Sequence, residues 1–128
     1  MNYPDDPMWY DLCDQYGIYL CAEANQESHG FQYDDTSEAK KPQFAKQILE
    51  RNQHNVMTYF NHPSIIYWSM GTRPLTAPTL PLIRQTDPSR PIHWERAGLG
   101  ANTDIFCPMY YTHDDCEKLP PTPTSLNR

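Results

Sequence analysis

Apolar residues recur along the chain in two different periods, and the switches between them mark out alternating helices and strands. Met8, Leu12 and Tyr16 lie four residues apart, which puts them on one face of a helix from Met8 to Gly17. Pro7 suits the first turn of that helix, and Gly17 suits the position just past its end. Ile18-Tyr19-Leu20-Cys21-Ala22 then forms a near-continuous apolar run, the pattern of a strand buried on both faces of a parallel sheet. A long helix opens at Pro42 and runs toward Tyr59, with Phe44, Ile48, Val56 and Tyr59 as its apolar stripe. Asn61-His62-Pro63 stops it, because the residue before a proline is pushed out of the helical region. Ile65-Ile66-Tyr67-Trp68 is the next buried run, broken by Gly71. The predicted strands are Ile18–Ala22, Ile65–Ser69, Ile92–Trp94 and Ile105–Met109. Helix and strand alternate, which predicts an α/β fold with a parallel sheet, and chemistry in such folds collects just past the strands' carboxyl ends.

Three stretches carry no such period. Phe31 to Lys41 is polar and acidic and reads as a surface loop. Thr72 to Pro81 places three prolines (Pro74, Pro78, Pro81) where the alternation calls for a helix. Residues 119–128 are low in complexity and read as a disordered tail behind a domain of residues 1–118.

The chain has 128 residues, enough for one small domain with its own core. A formal net charge of −6 gives nucleic-acid binding no electrostatic support. No apolar run approaches the roughly 20 residues of a membrane span. Met1-Asn2-Tyr3-Pro4-Asp5-Asp6 lacks the apolar core of a signal peptide, which points to a cytoplasmic protein. Cys13, Cys21, Cys107 and Cys116 are too dispersed for a zinc knuckle and read as buried free thiols.

Candidate chemistry sits past the first two strands. In Glu23-Ala24-Asn25-Gln26-Glu27-Ser28-His29-Gly30, Glu27 and His29 alternate, so an extended loop points both the same way. A carboxylate and an imidazole together suit a divalent cation with a third ligand; a solvated loop is the other reading of the same residues.

Longer motifs carry a resemblance. Tyr3 to Gly30, with Trp9-Tyr10, Leu12-Cys13-Asp14, Tyr16-Gly17 and Glu23-Ala24-Asn25, resembles family 2 glycoside hydrolases, the β-galactosidase family. Asn61-His62-Pro63-Ser64, the apolar run and Trp68-Ser69-Met70-Gly71 resemble that family's acid/base strand, and similarity resumes from Leu82 to about Lys118. The resemblance implies a partial (β/α)8 TIM barrel of about four βα units. It also implies retaining hydrolysis of terminal β-galactosides, with Mg2+ as cofactor and Glu27 and His29 among its ligands. Asn2, Asn25 and Tyr110 fall at substrate-side positions, Asn2 standing where the family has a histidine.

The departures concern catalysis. The family's Asn-Glu after the strand is Thr72-Arg73 here, so Arg73 occupies the acid/base position. A guanidinium with a pKa above about 12 is no general acid near neutrality and no metal ligand. Loss of one base from an Asn-Glu-Thr codon run (AAC GAG ACC to ACG AGA CC) yields Thr-Arg-Pro. Residues 72–81, and again 119–128, therefore read as frameshifted family sequence; a genuinely divergent loop is the other reading of residues 72–81. The family's first arginine-bearing strand would lie before Met1, and its nucleophile strand past Arg128. Glu95 matches an ordinary family position and is no substitute carboxylate. These departures predict a fragment without turnover, folding marginally because a half barrel has open edges and an uncovered face. The alternatives are a non-catalytic remnant that binds carbohydrate or a partner, with Trp9, Trp68, Trp94, Tyr110 and Tyr111 as stacking candidates, and a frameshifted product with no activity.

Overall fold

The computed structural model describes residues 3–27, 41–72, 79–95, 97–98 and 102–119. The elements run α1 (Pro7–Tyr16), β1 (Leu20–Glu23), α2 (Pro42–Tyr59), β2 (Ile65–Thr72), α3 (Thr79–Thr86), β3 (Ile92–Glu95) and α4 (His113–Glu117). The three strands form one parallel sheet in the order β1-β2-β3. This is the sequence of strand, crossover helix and neighbouring parallel strand expected of a barrel segment.

Local chemistry explains the helix ends. Asp6 caps α1 by accepting the Met8 amide at 2.9 Å, Pro7 sits at its first position, and Gly17 closes it in the left-handed conformation at φ 69°. α3 begins inside the proline-rich stretch. Pro81 is only its third residue, where a backbone N–H has no partner within the helix, so the proline costs nothing there. Pro74 and Pro78 lie outside the described residues, as does the tail from 120 onward. α4, which periodicity did not reveal, is started by a capping box: Thr112 and Asp115 each bond the other's backbone amide.

The face of α1 turned inward differs from the predicted one. Met8 and Tyr16 are 66% and 70% exposed, whereas Tyr10 and Cys13 are buried. The reason is the partner: Tyr10 stacks on Tyr59 of α2 with ring centroids 3.9 Å apart, which turns the helix roughly a third of a revolution from the stripe's phase. The α2 stripe holds as expected, with Ile48, Val56 and Tyr59 buried and Phe44 packed against the core.

Two strands are shorter than predicted. β1 starts at Leu20, and Ile18 and Tyr19 are exposed ahead of it. The predicted strand Ile105–Met109 reduces to one parallel bridge between Ile105 and His93. Thr103 Oγ1 donates to the Ile105 carbonyl at 2.7 Å and diverts that acceptor from the ladder, while Pro108 has no N–H to give. Of the four unpaired cysteines only Cys13 is buried; Cys116 is exposed on α4.

The core lies between the sheet and α2 and α3. Ala22, Trp68, Met70, Ile92 and Trp94 supply the sheet's side of it. A polar knot locks its lower corner. Arg90 donates to the carbonyls of Ile65 (2.7 Å), Phe60 (2.9 Å) and His62 (3.0 Å) and to Asp87 Oδ2 at 2.6 Å. Its guanidinium also lies over the Trp68 ring, and Trp68 Nε1 donates to Asp87 at 2.9 Å. Joined to this knot through His62, Asp14 of α1 accepts the Ser64 amide at 2.9 Å and pairs with His62 Nδ1 at 2.6 Å.

Candidate active site

The sheet's other face is polar. Registers Cys21↔Tyr67, Glu23↔Ser69 and Ser69↔His93 put these side chains on one side, away from the helices, and Glu95 follows two residues after His93. Hydrogen bonding to Cys21 and burial push the Tyr67 phenol up to about 12. Burial pushes the His93 imidazole down, favouring its neutral form.

At the carboxyl ends of β1 and β2 two loops are clamped together. The Ala24 amide donates to the Ser69 carbonyl at 3.0 Å, and Ser69 Oγ donates to Glu23 Oε2 at 2.6 Å. The backbones meet at Gly71, whose φ is +81°; a Cβ there would stand 2.5 Å from the Gln26 carbonyl oxygen. Only glycine tolerates both the dihedral and the approach. α2 supports the same loop from below: Arg51 donates to the Asn25 carbonyl at 2.6 Å, Asn52 to Gln26 Oε1 at 3.4 Å and Asn55 to the Ala22 carbonyl at 3.3 Å. Buried Asn52 and Asn55 thus anchor the loop, a role for which the sequence offers only the polar break in the α2 stripe.

The Glu23 carboxyl is raised above its ordinary value, chiefly by burial and further by Glu27 and Glu95, with the Ser69 hydrogen bond opposing the rise. Beyond β3 lies an open cavity of about 310 Å³ lined by Gly98, Phe106, Cys107, Pro108, Met109 and Tyr111. Phe106 and Tyr111 meet edge to face at 5.9 Å. Burial raises the Cys107 thiol, and so do the charges of Glu95 and Glu23, so the cavity wall lies within electrostatic reach of both carboxylates.

The candidates picked from sequence are only partly assembled by this geometry. Asn25 and Glu27 share the clamped loop past β1, both exposed. Tyr110 is 85% exposed at φ 65°, next to the cavity wall but not among its lining residues. Asn2, His29 and Arg73 lie outside the described residues. Trp68 and Trp94, offered as stacking platforms, are core residues, whereas Trp9 and Tyr111 are exposed. Among the described residues no three His, Cys, Asp or Glu side chains converge as a metal site, and no helix is long and apolar enough to cross a membrane. Glu23, Ser69 and Gly71, which hold the site's shape, are legible only as the alternate residues of strands and the glycine after one.

The family model described as glycosyl hydrolases family 2, TIM barrel domain, matches residues 1–125. Curated relatives share the stretch. A β-galactosidase of Photobacterium profundum is 46% identical over 116 residues, covering 85% of this chain and 11% of its own length. One of Vibrio cholerae serotype O1 is 39% identical over 127 residues, covering 95% and 12%. One of Yersinia enterocolitica serotype O:8 is 41% identical over 129 residues, again covering 95% and 12%. The chain thus spans about an eighth or less of the relatives it matches.

Proposed function

Because the chain belongs to the glycosyl hydrolase family 2 TIM-barrel family, we propose that it forms part of a β-galactosidase-type catalytic barrel acting on terminal β-D-galactosides. The observation that carries this reading is the clamp between β1 and β2. It holds the loop that carries Asn25 and Glu27 against the carboxyl end of β2. In retaining glycosidases a nucleophile and an acid/base carboxylate stand about 5 Å apart across the glycosidic bond. By resemblance the acid/base position is Arg73, whose fixed positive charge can neither protonate a leaving group nor activate water.

Glu27 and His29 are the two positions that would hold Mg2+, and the third would be Arg73. By resemblance a guanidinium stands where the third oxygen donor is needed, and a guanidinium cannot ligate a cation, so these residues do not complete the site. No step is therefore routed through a metal.

The chain accordingly supplies scaffold and substrate-side groups without turnover of its own. Purified protein should release nitrophenol from a nitrophenyl β-galactoside no faster than buffer. Hydrolysis by the pure chain, abolished by Tyr110→Phe, would overturn this. A second reading, sugar binding without hydrolysis, is favoured by the Phe106–Tyr111 corner beside Glu95 and Cys107. Saturable quenching of tryptophan fluorescence by galactose would support it, and a flat titration would remove it.

A further inference from the structure

We propose that Ser69 is a positioning residue that couples the ionisation of Glu23 to the turn at Gly71, through the two roles of a single hydroxyl. The inference rests on the reading of this strand end as the catalytic one.

Ser69 is fully buried, and its hydroxyl has one proton to give and lone pairs to receive. The proton goes to Glu23 Oε2 at 2.6 Å, the length of a charge-assisted bond. A lone pair accepts the Gly71 amide at 3.4 Å, the longer and weaker of the two contacts. With Glu23 ionised, the carboxylate holds the hydroxyl's hydrogen and so leaves the oxygen's lone pairs turned to Gly71. When Glu23 takes up a proton it becomes a donor itself. Its O–H then competes for the same Ser69 oxygen, and the Gly71 amide loses its share.

The backbone confines the response to that turn. The Ser69 carbonyl stays bonded to the Ala24 amide at 3.0 Å, so strand β2 itself does not slide. Gly71 cannot relax toward β1, because the Gln26 carbonyl already occupies the space where a Cβ would be. What remains is the Gly71–Thr72 end of β2. The groups facing Glu23 are Glu27 from its own loop, Glu95 from β3, and the thiols of Cys21 and Cys107. The charge of the two carboxylates favours the protonated form of Glu23, as burial does, while the thiols, raised by burial, stay neutral in this range.

The test is an NMR pH titration of the isotopically labelled chain, with no sugar present. The Glu23 side-chain carboxyl carbon and the Gly71 amide are followed from neutral to mildly acidic pH. The Gly71 amide should inflect at the midpoint of the Glu23 carboxyl. Ser69→Ala should abolish that inflection and raise the Glu23 midpoint, because the opposing hydrogen bond is lost, while Ser69→Thr, which keeps the hydroxyl, should restore both. A Gly71 amide that stays flat through the Glu23 midpoint in the parent protein overturns the proposal, as does an inflection that survives Ser69→Ala. The parent titration decides the matter even if a variant fails to fold. Sugar hydrolysis or binding assays bear on the galactoside reading alone, so the two fail separately.

Discussion

Replacing Arg90 by methionine tests whether the knot between β2, α3 and β3 holds the sheet to the turn that precedes it. Methionine keeps an unbranched apolar stem of similar reach and removes every donor. The structure allows the cost to be worked out. The carbonyls of Ile65 and His62 are partly buried and lose their partner, at about 1 kcal/mol each. The Phe60 carbonyl is exposed and exchanges Arg90 for water at little cost. Asp87 is the larger item: its side chain is only 7% exposed and it loses its ion pair, at about 2 kcal/mol because Trp68 and Ser89 still donate to it. The sum is about 4 kcal/mol. With a urea slope of about 1–3 kcal/mol per molar, the denaturation midpoint should fall by more than about 1 M, or folding should be lost. The pH dependence sharpens the test. Burial disfavours the Asp87 carboxylate, but hydrogen bonds from Ser89, Arg90 and Trp68 outweigh it and hold the group below the ordinary range. A depressed carboxylate stabilises the fold above its unfolded value of about 3.9 and loses that contribution as pH falls toward the folded value. The gap between parent and Arg90→Met should therefore narrow in acid. A midpoint shift corresponding to less than about 1 kcal/mol, or a gap that widens on acidification, would refute the reasoning.

Three further outcomes follow from other parts of the fold. Gly71→Ala should cost about 2–4 kcal/mol, from a left-handed dihedral plus the collision with Gln26, whereas Gly17→Ala, at nearly the same φ but with nothing within 4 Å, should cost about 1–2; equal losses in urea denaturation would show that Gln26 does not press on Gly71. Tyr10→Ala should cost about 3–4 kcal/mol and Met8→Lys less than about 0.5, by thermal unfolding, because the first is stacked in the core and the second is exposed; the reverse order would restore the face read from sequence. Beside the Arg90 knot, burial works against the Asp14 carboxylate, but hydrogen bonds from Ser64 and His62 hold it below its usual value. Asp14→Asn should therefore destabilise at neutral pH and approach the parent as pH falls through the folded value, and a difference independent of pH would rule the pair out as a source of stability.

The first two helices and the three strands were legible because each had its own local signal: Pro7 and Gly17 at the ends of α1, a proline stop at Pro63, a wide apolar stripe on α2. What misled was a stripe without a partner. Met8, Leu12 and Tyr16 form a better helical period than Tyr10 and Cys13, and only the neighbouring Tyr59 decides between the two faces. The fourth strand was overread for a similar reason, since Ile105-Phe106-Cys107 is apolar enough, but the Thr103 hydroxyl and Pro108 remove the bonds a ladder needs. As for the site, Glu27 and Asn25 were singled out through a motif, whereas the Glu23–Ser69 pair went unread because it joins the ends of two strands.

Those strands hold a second period that the apolar run conceals. A strand buried on both faces of a parallel sheet reads as continuous Val, Ile and Leu. Ala22-Glu23, Trp68-Ser69-Met70 and Ile92-His93-Trp94-Glu95 do not: every second residue is polar, and all of those share the face away from the helices. Exposure to water does not account for the alternation, because Ser69, His93 and Glu95 are buried. Burying polar groups is costly unless they are hydrogen-bonded or serve a site. The bond from Ser69 to Glu23 meets the first condition, and the acidic company of Glu27 and Glu95 around Glu23 points to the second. Period-two polarity within an apolar run is therefore the signal, present in the sequence, that the face of this sheet away from the helices is polar and buried and does not extend the apolar core.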